Sequence, residues 1–180
     1  VCVLGCPNLP RDFDNPDQGT GVLLAAVRGD GAFQANMDGA NRQTIRVNSL
    51  SDASQARFVE SVEAAHSAHS VHQAISDALG ITRPSLRIDS QCKYATVGRG
   101  DVAVYLRYPK DDVYREKIWD HAAGVIVVEE AGGRVTDILG QPLDFSQGRK
   151  LVSNRGVVAT SGVFHDKIIE TIQTLRGDHV

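Results

Sequence analysis

The run Lys117-Ile118-Trp119-Asp120-His121-Ala122-Ala123-Gly124, continued by Val125 to Gly133, is the stretch from which the rest of the chain is read. Small residues follow an aspartate and a histidine, an apolar block follows them, and Gly132-Gly133 closes the segment. This pattern predicts a buried helix over Trp119 to Ala131 that glycine terminates. Asp120 falls at or just inside the helix start. Ala122, Ala123 and Gly124 leave the first turn almost free of side chains, so backbone N–H groups and a positive dipole end are open to an anion. A carboxylate at that place stays ionised and can hold a cation through oxygen. The same residues also fit a plainer reading, in which Asp120 caps the helix and the small residues permit close packing.

Upstream of this helix the chain alternates between strand and helix signals. Strands are expected over Val1 to Leu9, Gly21 to Val27 and Ala32 to Gln34, with Arg28 to Gly31 as the turn of a hairpin. Arg11 to Gly21, rich in Asp, Asn, Pro and Gly, reads as a loop. Gln43 to Ser49 and Arg57 to Val62 read as further strands, with a helical turn over Ser51 to Ala56 capped by Ser51 or Asp52. His69 to Leu79 carries Val71, Ala74, Ile75, Ala78 and Leu79 at the spacing of an amphipathic helix, and Gly80 stops it. Ser85 to Ile88 reads as a strand and Gln91 to Gly98 as a short helix. Val102 to Arg107 alternates as a strand until Pro109. Downstream, Arg134 to Asp137 and Gly156 to Thr160 read as strands, and Phe164 to Leu175 as a closing amphipathic helix. Hairpins, crossovers and helices together predict an α/β fold in layers.

Composition narrows the function. The 180 residues, 42% hydrophobic and 23% charged, are those of an ordinary globular chain. A net charge of −3 argues against binding of long nucleic acid, though a small anion needs only two or three well-placed cations. Cys2, Cys6 and Cys92 make an odd set without CxxC spacing, expected to be reduced thiols of an intracellular, cytoplasmic protein. No stretch approaches 18 apolar residues, so no membrane span is expected. The chain opens without Met in an apolar run that reads as a strand entered partway, so an upstream targeting segment, and with it an organellar address, stays open. Oligomeric state is not legible.

Three further segments could carry chemistry. In Asp89-Ser90-Gln91-Cys92-Lys93-Tyr94, a hydroxyl and an ammonium three residues apart share one side of a helical turn and could hold phosphate oxygens. The alternative is a serine cap beside a solvated lysine. Arg107 ends an alternating strand on the same face as Tyr105, where a guanidinium could clamp a phosphate; the alternative is an edge arginine paired with a surface acid. Glu60, Glu63, His66, His69 and His72 suggest zinc, but residues three apart on a helix drift around its surface, and solvated or capping histidines are the better expectation. Arg-Gly-Asp, at 28–30, 99–101 and 176–178, reads as three turns.

Taken together the segments resemble a known family. Lys117 to Gly124, with Glu130-Ala131-Gly132-Gly133 and Val135-Thr136-Asp137, resembles the C-terminal signature of the inositol monophosphatase superfamily. Val62 to Ser67, Asp89 to Tyr94, Val104 to Arg107 and Pro142 to Ser146, with Gly5 to Leu9 before them, resemble its 3'(2'),5'-bisphosphate nucleotidase branch of fungi and plants. The resemblance implies the C-terminal portion of a layered α/β sandwich, spanning residues 1–180. It implies Mg²⁺ as cofactor, lithium inhibition, and hydrolysis of the 3'-phosphate of 3'-phosphoadenosine 5'-phosphate, or its sulfated form, to AMP. Asp120 would be a metal ligand beside the ligand phosphate, Ser90, Lys93 and Arg107 would bind nucleotide, and His66 would contact the nucleoside.

One departure matters. The family's acidic pair and its Asp-Pro-x-Asp-Gly-Thr loop, which supply most metal ligands, have no counterpart here; Asp12 to Thr20 has that composition but not that order. A single carboxylate holds Mg²⁺ poorly, because that ion requires near-octahedral oxygen coordination. The chain alone is therefore expected to be inactive. An inositol polyphosphate 1-phosphatase or inositol monophosphatase activity shares the site chemistry, and a catalytically dead nucleotide-binding domain is the rival of another class.

Overall fold

The computed structural model describes residues 1–62, 69–109, 111 and 113–177. The N-terminal strands β1 (Cys2–Pro10), β2 (Thr20–Val27), β3 (Gly31–Asn36) and β4 (Gln43–Thr44) form an antiparallel sheet in that order. Alternation sets its faces: Cys2, Leu4 and Cys6 of β1 point inward while Val3 is exposed, as the strand period of two requires. The first Arg-Gly-Asp is the β2–β3 turn, where Gly29 and Gly31 take left-handed φ of 84° and 89°. Their N–H groups donate to the Glu130 carboxylate at 3.0 and 3.1 Å, which ties the hairpin tip to the central helix layer.

A second, mixed sheet contains β5 (Phe58–Glu60), β6 (Leu86–Arg87), β7 (Val104–Arg107), β8 (Arg134–Thr136) and β9 (Val157–Thr160), in the order β6-β5-β7-β9-β8. β5 runs parallel to both of its neighbours, and the β7–β9 and β9–β8 pairs are antiparallel. Helices α2 (Cys92–Gly98) and α3 (Ala122–Glu130) lie between the sheets. Ala95, Val127 and Ala131 pack toward Cys6, Val22 and Leu24 of the first sheet. Tyr94, Val97, Val125 and Val128 pack toward Val59, Val157 and Ala159 of the second. A helix apolar on two sides is what a middle layer demands. Helices α1 (His69–Leu79) and α4 (His165–Gly177) cover the far face, with Ile75, Ile168 and Ile172 against Phe58, Leu106 and Val158. The layers run β-α-β-α, so the expected α/β class holds.

Two expectations shift. The segment Gln43 to Ser49 pairs as a strand only over Gln43–Thr44. Beyond Ile45 the chain leaves the sheet, and the Val47 N–H donates to Ala131 O at the end of α3 instead. The helix expected from Trp119 begins at Ala122, because Ile118–Asp120 forms a tighter 3-10 turn and His121, at φ −133° and ψ −37°, separates the two. The turn near Ser51 is a 3-10 turn over Ala53–Gln55, and Asp52 is its cap, accepting from the Ser54 N–H. Among the described residues no helix is long and apolar enough to cross a membrane.

Candidate active site

The N-terminal ends of the two middle helices open onto a cavity of about 430 Å³ between the first sheet and β7. Ser90, Lys93, Arg107 and Asp120, singled out separately in the sequence, all line it. His66 lies outside the described residues.

Ser90 sits in the turn before α2 with a left-handed φ of 64°, and its hydroxyl accepts from the Cys92 N–H at 3.2 Å. That hydrogen bond holds the turn while the oxygen stays on the cavity wall. Lys93 is not the solvated lysine of the plainer reading. It is 6% exposed, and its Nζ donates to Ser61 Oγ at 3.1 Å and lies 5.4 Å from the Tyr105 ring centroid. Burial pushes its ammonium below the ordinary value, Asp89 draws it back up, and Arg107 pushes it further down. A second charge-compensating anion would therefore be welcome beside it.

Arg107 shares its side of β7 with Tyr105, as the strand period predicts, but it is neither on an edge strand nor paired with a surface acid. β7 is the central strand of its sheet, and the partner is Glu116, 4% exposed, with Arg107 Nε donating to Glu116 Oε1 at 3.2 Å. Glu116 Oε2 lies 3.2 Å from His121 Nε2, and His121 Nδ1 lies 2.6 Å from the Tyr94 hydroxyl. Burial works to raise the Glu116 carboxyl, yet the His121 hydrogen bond and the Arg107 charge outweigh it and hold the group below its ordinary value. Burial raises the Tyr94 phenol well above its ordinary value, so its O–H stays protonated. Tyr94 O–H can then donate to His121 Nδ1 while His121 Nε2–H donates to Glu116.

Asp120 ends the 3-10 turn and is exposed toward the cavity. Its carboxylate makes no hydrogen bond with the described residues, and the residue that flanks α3 as its cap is His121, so the helix-cap reading of Asp120 fails. The bare first turn of α3 is also less open than its sequence suggests. Gln91 donates to Trp119 O at 2.8 Å and accepts from the Gly124 N–H at 2.9 Å, stapling the 3-10 turn to the helix. Gly124 is small for packing: a Cβ there would lie 2.3 Å from the Tyr94 ring. Periodicity could not flag these neighbours: the partners of Tyr94 and Gln91 lie 27 to 33 residues away, and Glu116, five residues from His121 and nine from Arg107, sits in an irregular segment without a repeat.

Among the described residues no group of three or more His, Cys, Asp or Glu side chains is placed to hold a metal ion; Glu63 and His66 of the histidine series lie outside them. His72 is not solvated; it is buried, stacks on Phe58 at 5.1 Å and lies 3.5 Å from the Glu60 carboxylate.

Against known proteins, the model of the inositol monophosphatase family matches residues 1–176. The chain belongs to this family. Within it, the chain is 44% identical to a 3'(2'),5'-bisphosphate nucleotidase of Emericella nidulans over 96% of its length, and 43% identical to one of Schizosaccharomyces pombe over 94%. It covers 53% and 49% of those proteins, so it spans about half the length of the curated relatives it matches. Among solved structures, an inositol monophosphatase of Anabaena (Nostoc) sp. PCC 7120 aligns over 88% of this chain and 56% of its own, at TM-score 0.61 and 26% identity. An inositol monophosphatase of Thermotoga maritima aligns over 88% of this chain and 57% of its own, at TM-score 0.63; at 23% identity it speaks for the fold.

Proposed function

We propose that the chain is the C-terminal portion of a Mg²⁺-dependent 3'(2'),5'-bisphosphate nucleotidase, which hydrolyses the 3'-phosphate of 3'-phosphoadenosine 5'-phosphate to AMP and phosphate. The observation that carries this reading is the division of labour in one cavity. Two cations, Lys93 and Arg107, stand on the walls, and a carboxylate with no hydrogen-bond partner among the described residues, Asp120, stands at the mouth of α3. A bisphosphate carries two anionic groups. Lys93, Arg107 and the Ser90 hydroxyl suit the 5'-phosphate, through charge-assisted and neutral hydrogen bonds. Asp120 repels a bare phosphate and suits one approached through a cation.

The metal fits these residues only in part. Glu116 is committed to Arg107 and His121, which leaves Asp120 as the carboxylate of the cavity able to take a metal. One carboxylate is too few for Mg²⁺. The remaining ligands would come from an N-terminal metal-binding portion outside these 180 residues, and the chain alone would bind nucleotide weakly and release no phosphate. In the assembled enzyme the metal would supply charge stabilisation on the transferring phosphoryl group. The relatives named as nucleotidases, 38–45% identical, support the nucleotide over an inositol phosphate.

The test is phosphate release from 3'-phosphoadenosine 5'-phosphate with Mg²⁺, on the 180-residue chain and on the chain extended by its natural upstream sequence. Activity in the extended protein alone, lost in Asp120→Asn, is the expected result. Turnover by the short chain would mean that it holds a complete metal site, and preference for inositol 1-phosphate would overturn the substrate.

A further inference from the structure

A buried, ionised carboxylate is an odd tenant for a cavity that is to receive an anion. Glu116 lines the same cavity as Lys93 and Arg107, 4% exposed, and adds a negative charge where the proposed ligand would feel it. The explanation lies in which edge of Arg107 it occupies. A guanidinium offers two edges that can bind an oxyanion with paired, parallel hydrogen bonds. Glu116 Oε1 takes Nε at 3.2 Å, while Nη1 and Nη2 have no acceptor among the described residues and belong to a side chain on the cavity wall. Glu116 cannot swing away, because its other oxygen accepts from His121 at 3.2 Å and His121 is fixed by Tyr94 at 2.6 Å. All three lie among the least exposed side chains, at 4%, 2% and 1%.

We propose that Glu116 is a positioning residue: by holding the Nε edge of Arg107 it turns the Nη1–Nη2 edge toward the ligand and makes Arg107 a bidentate receptor for the second phosphate of a nucleoside bisphosphate. The inference rests on the nucleotidase reading and adds the determinant of its selectivity for two phosphates over one. His121 directly follows Asp120, so the same buried chain, Tyr94–His121–Glu116–Arg107, also sets the spacing between the two poles of the cavity.

The rival account is that Glu116 merely neutralises buried Arg107. Two conservative substitutions separate the accounts in the extended protein, with kcat/KM measured on adenosine 3',5'-bisphosphate and on adenosine 3'-monophosphate, which lacks the second phosphate. Glu116→Gln keeps the reach of the side chain and an oxygen for Arg107 Nε, and its amide N–H₂ can donate to His121 in the other tautomer. Glu116→Asp keeps the charge but draws the oxygens back by a methylene, so both bonds cannot be made at once. Positioning predicts that Glu116→Asp lowers the preference for the bisphosphate about tenfold, the loss of one charge-assisted hydrogen bond, while Glu116→Gln keeps most of it. The opposite order, Asp preserving and Gln losing, overturns the inference in favour of charge balance. Equal falls on both substrates in either variant overturn it in favour of plain stability. Should the unsubstituted protein itself release no phosphate from the bisphosphate, it is the nucleotidase reading that fails.

Discussion

Helix α2 has an arginine–carboxylate pair near each end, and the two pairs are built oppositely. Beyond its C-terminal end, Arg99 donates Nε and Nη2 to Asp101 at 2.8 and 2.6 Å, and Nη1 to Pro10 O, Arg11 O and Gln34 Oε1 at 2.8, 3.3 and 3.1 Å. Its side chain is 5% exposed against 19% for the carboxylate. At the other end Arg107 spends only Nε among the described residues, and there the arginine is the open member at 22% while Glu116 is closed at 4%. One guanidinium is saturated by the protein and knits a loop to the core. The other is held by one edge and keeps donors in reserve. The sequence reads Arg99 as part of a turn and Arg107 as the end of a strand; the count of committed donors separates a framework arginine from the proposed receptor.

The largest effect should follow from breaking the saturated pair. Arg99→Ala removes the hydrogen bonds to Pro10 O and Arg11 O at the end of β1 and leaves Asp101, whose carboxyl burial already raises, without its cation. Removing one partner of such a buried pair costs about 3–5 kcal/mol. Urea denaturation should show that loss for Arg99→Ala and a smaller one for Arg107→Ala, because Glu116 keeps the His121 hydrogen bond at 3.2 Å when its arginine is gone; the chief defect of Arg107→Ala should be nucleotide affinity, weakened on the order of tenfold. Equal losses of stability from the two variants would erase the distinction.

Much of this architecture was legible and the reasons are particular. The period of two placed Tyr105 and Arg107 on one face of β7 because a strand fixes side-chain direction without reference to its neighbours. The helical spacing of α1 and the glycine stop after α3 were equally local. Val47 was misread because its hydrogen bond goes to Ala131, 84 residues away in sequence, which no strand pattern encodes. Glu116 escaped for the same kind of reason. It lies in an irregular segment between β7 and the 3-10 turn, where no period exists to assign it a face. Lys93 was visible as a candidate, while its burial beneath Ser61 was not, since Ser61 arrives from the end of another strand.

His165 extends the comparison to a second residue type. Its Nε2 lies 2.8 Å from Thr136 Oγ1 and its Nδ1 2.9 Å from Thr160 Oγ1. Because the Thr136 hydroxyl donates to Asp137 O, the arrangement suits neutral imidazole. Burial, helped by Arg134, depresses this group from 6.5 to about 4. A depressed base is charged more readily in the unfolded chain, so its contribution is present above pH 6.5 and is lost as pH falls toward 4. Between pH 7 and 5 the loss should be about 2 kcal/mol, at 1.36 kcal/mol per unit. Urea midpoints at the two pH values should differ accordingly in the native chain and converge in His165→Gln. An unchanged slope in the variant would assign the pH dependence to another group.

The smallest effect concerns a group on the receptor side. Cys92 stands between Ser90 and Lys93 on the cavity wall, and Cys6 reaches it from β1. The hydrogen bond from Cys6 is the main cause that draws the Cys92 thiol below its ordinary value; burial opposes it, and Ser90 and Lys93 assist. The Cys6 thiol is correspondingly raised. A thiolate is the nucleophile, so at neutral pH iodoacetamide should modify Cys92 before Cys2, whose thiol burial raises. Cys6→Ala removes the donor and should slow modification of Cys92 about threefold, a modest factor because a thiolate loses nucleophilicity as its pKa falls. Adenosine 3',5'-bisphosphate should slow it as well, since the ligand would occupy the wall that Cys92 forms. A rate that ignores Cys6 would leave the lowered thiol without its cause. A rate that ignores the nucleotide would place the ligand away from Ser90 and Lys93, and the unsaturated end of α2 would lose its claim to be the receptor.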